Sequence, residues 1–133
     1  MRYLLDTDTC IYLIKKQSPE IIEHFKSHKI SAVAVSIISC FELEYGVRNS
    51  DSVRQNKAAL NKFIDSIHLI GMDRLAADSS ALIRAELKKK RTSIGLYDTF
   101  IAGIALSQNL ILVSNNIREF ERVEGLKIEN WLK

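Results

Sequence analysis

Cysteine, proline and histidine are scarce in this 133-residue chain, and each scarcity narrows what it can be. There are two Cys, one Pro and three His. Cys10 and Cys40 have no CxxC spacing and no His partner nearby, so they read as buried thiols of a reducing compartment. His68 has no second His or Cys at ligand spacing and is taken as structural or exposed. With one Pro and five Gly, no stretch has linker composition, and no repeat or domain boundary is visible. No apolar run is long enough to cross a membrane, and acids follow Leu5 too soon for a signal peptide. The expectation is one domain over residues 1–133, in the cytoplasm.

What is present is an ordinary globular composition, 47% hydrophobic and 26% charged. The net charge of +3 permits a polyanionic partner without demanding one. The charge is unevenly placed. Lys88, Lys89, Lys90 and Arg91 form a basic block, while several acids stand at the ends of apolar segments.

The first of those acids closes the opening stretch. Tyr3-Leu4-Leu5 reads as a short strand buried on both faces, as in a parallel sheet. Asp6-Thr7-Asp8-Thr9 follows, with both Thr able to cap the apolar-periodic segment from Cys10 to Ile14. Asp6 thus stands where a central strand gives way to a helix, the place where open α/β sheets bind ligands. A plain helix cap is the simpler role for Asp6 or Asp8.

Further on, Ser18-Pro19 starts a helix and Ile30 to Val35 reads as a second buried strand. Ser36 caps a helix from about Ile37 to Val47, with Ile38, Phe41, Glu42 and Tyr45 on one stripe and Glu44 toward solvent. A carboxylate in an apolar stripe, as Glu42 is, is costly unless paired, metal-bound or able to reach water. Asn49 to Ser52 breaks the chain before a helix with Leu60, Phe63, Ile64 and Ile67 inward, and Ile67 to Ile70 is a short strand. Asp73 caps a long helix whose inner side is expected to carry Leu75, Ala76, Leu82, Ile83 and Leu87. Its basic end, Lys88 to Arg91, suits the negative end of the helix dipole and could equally contact phosphates.

Tyr97-Asp98 opens a helix whose inner face is Asp98, Ile101, Ala102 and Ala105. Leu110 to Val113 is the most strand-like run, and it ends in Ser114-Asn115-Asn116 with Glu119 one turn later. Leu126 to Ile128 is an edge strand, and Trp131 packs a corner. Asp6, Glu42, Asp98, and then Asn116 or Glu119, therefore arrive at one edge of an alternating strand–helix pattern. Each alone is explained as a cap or a helix-start acid. Together, unpaired, they would raise one another's pKa, which a hard divalent cation resolves. Zinc has no thiolate or paired-His ligands here.

The segments Arg2 to Asp8, Ser36 to Gly46, Ile94 to Asp98 and Val113 to Val123, in this order and spacing, resemble the PIN-domain ribonucleases. More narrowly they are similar to the VapC toxins of bacterial toxin–antitoxin pairs, across essentially the whole chain. The resemblance implies a three-layer α/β/α sandwich with a central, mostly parallel sheet. It implies RNA cleavage dependent on Mg²⁺ or Mn²⁺, with acids mapping onto Asp6, Glu42 and Asp98. Many members have Asp where Asn116 stands, and Glu119 either substitutes for it or supports the site. Thr7 and Ser114 are placed to orient water, and Lys88 to Arg91, with Arg48, Arg74 and Arg84, to contact RNA. The motif Asn115 to Phe120 resembles a subgroup in which some members cut initiator tRNA in its anticodon loop. A VapB-type antitoxin and homodimerisation are implied likewise. Two other readings remain. Asp6-Thr7-Asp8 resembles the nucleophile motif of haloacid dehalogenase-type phosphatases, although Cys10 stands where Thr or Val belongs. A non-catalytic binding module, its acids all caps, is the third.

Overall fold

The computed structural model describes residues 1–132. Five strands form one sheet in the order β3-β2-β1-β4-β5, every pairing parallel. They are β1 (Tyr3–Leu5), β2 (Val33–Ser36), β3 (His68–Ile70), β4 (Ile111–Val113) and β5 (Ile128–Glu129). Helices α1 (Thr7–Lys15), α2 (Pro19–Lys26), α3 (Ile37–Arg48), α4 (Val53–Ser66), α5 (Arg74–Lys89), α6 (Leu96–Ser107) and α7 (Ile117–Phe120) cover its faces.

The side-chain period of two sorts the strands into two cores. Leu4, Ala34 and Leu112 face one way and pack with Ala76, Ile83 and Leu87 of α5, Ile101, Ala102 and Ala105 of α6, and Phe120. Tyr3, Leu5, Val33, Val35 and Val113 face the other way, onto Cys10, Ile21, Leu43 and Leu60 of α1 to α4. The result is the expected three-layer sandwich, with a sheet wholly parallel across these strands. Trp131 is buried as expected, its ring stacked near His24 and His28 and edge-on to Tyr3.

Four expectations are corrected. Ile30 to Ala32 is a 3₁₀ turn, and the strand begins only at Val33. The ladder starts at Tyr3 opposite Val33; before it, Arg2 N–H still donates to Ala32 O at 2.8 Å, but β1 offers Ile30 no pairing residue. On α3, Phe41 and Tyr45 are exposed and the buried positions are Ser39 and Leu43. The helix lies on α4 and α1 through that other face, which leaves Glu42 at its margin and brings Glu44 onto Lys57 of α4. On α5, Leu75 and Leu82 are exposed, while Ala76, Ser80, Ile83 and Leu87 turn inward. Cys40 is only half-buried, whereas Cys10 is fully buried.

The inward face of α5 is decided by its contact with α6. A Cβ at Gly103 would lie 1.9 Å from Ser80 Oγ and 2.9 Å from Ser80 N, so only glycine lets the two backbones approach this closely. Ser80 Oγ is buried there without a hydrogen-bond partner. We expect Gly103→Ala to destabilise the fold by about 2–3 kcal/mol. Ser80→Ala alone should be neutral or stabilising by up to ~1 kcal/mol, and should only partly rescue Gly103→Ala, because the backbone clash remains. Urea denaturation of the three variants checks this.

Candidate active site

Strand β1 lies between β2 and β4, and the register sets Leu5 beside Val35 and Val113. The next residues along each strand, Asp6, Ser36 and Ser114, therefore meet at the carboxyl edge of the sheet. The chain leaves this edge toward opposite faces, through α3 after β2 and α7 after β4, so the crevice opens where such sheets bind ligands.

Asp6 itself, and neither Thr7 nor Thr9, caps α1: its Oδ1 accepts from Thr9 N at 2.9 Å. Its own N–H donates to Val113 O at 3.0 Å, which ties the cap to β4. Asp6 is 5% exposed. Burial pushes its carboxyl pKa up and the Asp8 charge adds to this, while hydrogen bonds from Ser114 and Thr9 oppose it. Thr9 is occupied with β4, its hydroxyl donating to Val113 O.

Glu42 is half-buried at the margin of α3. Thr7 Oγ1 donates to Glu42 Oε1 at 2.7 Å and lies 2.9 Å from Ser39 Oγ. The glutamate is thus held toward β1 by the residue that follows Asp6. Ser39 is a site residue the sequence did not single out; its only signal was a polar side chain three positions before Glu42.

Asp98, in the first turn of α6, carries the strongest electrostatic signature. Its pKa is pushed up to about 7, first by burial, then by a proton shared with Glu119, and then by the charges of Glu119, Glu42 and Asp6. Glu119 moves the other way. Burial would raise it, but hydrogen bonds from Gly95 N–H (3.1 Å), the Asn116 amide (2.7 Å) and Asp98, with the nearby Arg122 charge, hold it below the usual range. The shared proton therefore resides on Asp98. Asn116 orients Glu119 through Nδ2, and its own N–H donates to Ser114 Oγ. Gly95 went unnoticed in the sequence; a Cβ there would sit 3.7 Å from Asp98 Oδ2.

Asp6, Glu42 and Glu119 are thus all within electrostatic reach of Asp98. Among the described residues, no three His, Cys, Asp or Glu side chains stand as a ready-made metal cage. No Lys or Arg pairs with Asp6, Glu42 or Asp98 among them either; the ion pair present is Lys57–Glu44. An all-oxygen donor set with surplus negative charge, in which one acid keeps its proton toward neutrality, fits a hard divalent cation. The basic block belongs to the end of α5 and the turn after it. Lys88 and Lys89 end α5, Lys90 caps it and Arg91 turns with φ 55°; all four are exposed.

The PIN domain family model matches residues 3–126. The chain is 41% identical over 131 residues to the tRNA(fMet)-specific endonuclease VapC of Salmonella typhimurium, covering 98% of both. It is 39% identical over 132 residues to Ribonuclease VapC2 of Haemophilus influenzae, covering 99% of both. The crystal structure of DNA-bound VapBC from Salmonella typhimurium superposes with a TM-score of 0.94 at 41% identity, covering 98% of both chains. No helix of the described residues is long and apolar enough to cross a membrane.

The acid cluster predicts a pH dependence with a definite sign. Asp98 keeps its proton to about pH 7 when folded, against 3.8 for the unconstrained group. Between those values the folded chain binds the extra proton, so stability falls as pH rises from about 4 to 7. Asp98→Asn should abolish this term. In urea titrations with EDTA, the parent should lose on the order of 1 kcal/mol more than the variant between about pH 4.5 and 8. That figure is well below the full shift, because Asp98 is half exposed and Glu119 works in the opposite direction. Parallel profiles for the two proteins would mean that the acids share no field.

Proposed function

This chain belongs to the PIN-domain family, within it to the VapC ribonucleases, and on that premise we propose that it is the ribonuclease toxin of a toxin–antitoxin pair. The observation that carries the reading is the convergence of Asp6, Glu42, Asp98 and Glu119 at the carboxyl edge of β1 and β4, where burial first, then the hydrogen bond with Glu119, then the charges of Glu119, Glu42 and Asp6 push the Asp98 carboxyl up to about 7. Acids arranged this way have no use as helix caps alone. The phosphatase alternative rested on Asp6-Thr7-Asp8 alone, whereas the relatives matched over the whole length are named as VapC nucleases. A binding module with idle acids does not account for Asp98.

Asp6, Glu42 and Asp98 are the residues we assign to hold Mg²⁺ or Mn²⁺. Such a cation, when bound, supplies Lewis-acid activation of water and compensation of charge at a phosphate under attack. Thr7 holds Glu42 in place, and Ser114 does so for Asp6. Glu119, aimed by Asn116 and Gly95, is hydrogen-bonded to Asp98. We assign Glu119 rather than Asn116 as the fourth acidic group, with Asn116 its positioning residue. The exposed cations from Lys88 to Arg91 meet the RNA backbone. The name of the Salmonella relative suggests tRNA(fMet) as the target.

The partner is a VapB-type antitoxin, since the matched structures are VapBC complexes. A groove of about 190 Å³ between α1, α3 and α4, lined by Ile11, Ile14, Leu43, Val47 and Leu60, reaches Glu42 at its edge. An antitoxin tail laid in this groove would bring an Arg to the acids, in competition with the cation. The exposed aromatic pair Phe41 and Tyr97, ring centroids 5.5 Å apart, offers a surface for homodimerisation.

Purified chain should cleave RNA with Mg²⁺ or Mn²⁺ and stop in excess EDTA. Asp6→Asn, Glu42→Gln and Asp98→Asn should each lose about a hundredfold or more in activity. In thermal melts, Mg²⁺ should raise the Tm of the parent and leave Asp98→Asn nearly unmoved. Undiminished cleavage in EDTA sinks the assignment. Sequencing the ends of RNA cut in cells identifies the target.

A further inference from the structure

The loop that joins α5 to α6 has two sides. On one side Gly95 N–H donates to Glu119, and the bare Cα faces Asp98. On the other, Ser93, Ile94, Leu96 and Thr99 line a cavity of about 390 Å³ with Arg84, Leu87 and Lys88 of α5. Ser93, Ile94 and Leu96 flank Gly95 in the chain, so the same short loop borders both the cavity and the acid cluster.

The lining is mixed in a particular way. Arg84 and Lys88 are four residues apart, so they project from the same side of α5. Both are exposed at the rim, and neither enters an ion pair among the described residues. Leu87, Ile94 and Leu96 supply an apolar wall, with the hydroxyl of Ser93 and that of Thr99 beside it. Thr99 Oγ1 is already committed to Gly95 O at 2.9 Å, which braces the loop between the two spaces. The volume falls within the range of small-ligand sites. Two cations beside an apolar wall suit a molecule with a phosphate at one end and a flat, weakly polar body at the other.

We propose that this cavity is a nucleotide subsite: it receives one unstacked nucleotide of the RNA strand, next to the phosphate that is cut. The phosphate of that nucleotide engages Arg84 and Lys88, and its base lies on Leu87, Ile94 and Leu96. The base must leave its stack to enter, so the subsite favours unpaired RNA over duplex. The assignment rests on the ribonuclease reading of the neighbouring acids, but makes a separate demand. Lys88 acts here as one half of a pocket, whereas Lys89, Lys90 and Arg91 touch only the outer backbone.

The test uses the full chain in EDTA and the four ribonucleoside 5′-monophosphates as probes, followed by amide NMR. Shifts are expected at Ser93, Ile94, Leu96 and Thr99. Affinity should fall about tenfold or more in the Arg84→Ala/Lys88→Ala double variant. It should be lost in Ser93→Trp, which fills the cavity and keeps both cations, and should persist in Asp98→Asn. With single-stranded RNA and Mg²⁺, Ser93→Trp should raise KM about tenfold while kcat changes far less. Replacing Lys89, Lys90 and Arg91 with Ala should reduce the salt dependence of RNA binding and leave monophosphate binding intact. Absent loop shifts, or a parental KM in a folded Ser93→Trp, would overturn the subsite. A chain that binds the monophosphates at the loop yet cuts no RNA keeps the subsite and loses the ribonuclease assignment. One that cuts RNA with no loop shifts does the reverse.

Discussion

Repulsion between carboxylates at the end of β1 is the constraint around which the rest of this structure is arranged. Asp6, Glu42, Asp98 and Glu119 arrive from four different elements, and the other three all add to the cost of ionising Asp98, beside the larger cost of its burial. The fold answers with local compensation and leaves the balance unpaid at Asp98. Asp6 receives hydrogen bonds from Thr9 and Ser114. Glu42 receives one from Thr7. Glu119 receives two, from Gly95 and Asn116. Asp98 receives none of comparable strength and keeps its proton to about pH 7.

The sheet makes this concentration of charge tolerable. Because β1 is central and both neighbours run parallel to it, the acids emerge at a single edge, next to solvent and clear of the two apolar cores. The cap at Asp6 is itself bonded to β4 through Val113. The loop from Thr92 to Gly95 joins the closely packed α5 and α6, is braced by Thr99 Oγ1 donating to Gly95 O, and presents a bare glycine to Asp98 and part of the wall to the neighbouring cavity.

Much of this was legible along the chain. The strand at Tyr3–Leu5, the caps at Ser18, Ser36 and Asp73, and the inward placement of Asp98 all follow from local pattern, because turn chemistry and burial periodicity act over a few residues. The pattern marked Asp6, Glu42 and Asp98 as inward acids, but only Asp6 stands at a strand-to-helix junction: Glu42 lies within α3, and Asp98 opens a helix reached from α5 through a loop. The chain's resemblance to the PIN-domain family is borne out by the family match and the whole-length relatives.

Other choices belonged to the tertiary structure alone. On α3 and α5 the sequence offers two apolar stripes each, and periodicity cannot rank them. Packing against α4, α1 and α6 selected Leu43 over Phe41, and Ser80 with Ile83 over Leu75 and Leu82. Whether Asn116 or Glu119 faces Asp98 was likewise open until a single turn at α7 set Asn116 to hold Glu119 rather than replace it. The sequence by itself determined the element types and the acids, since these depend on residues near one another in the chain. Only the folded contacts decided which face of each helix turned inward and where the shared proton sits, since those depend on partners that the chain brings together from a distance.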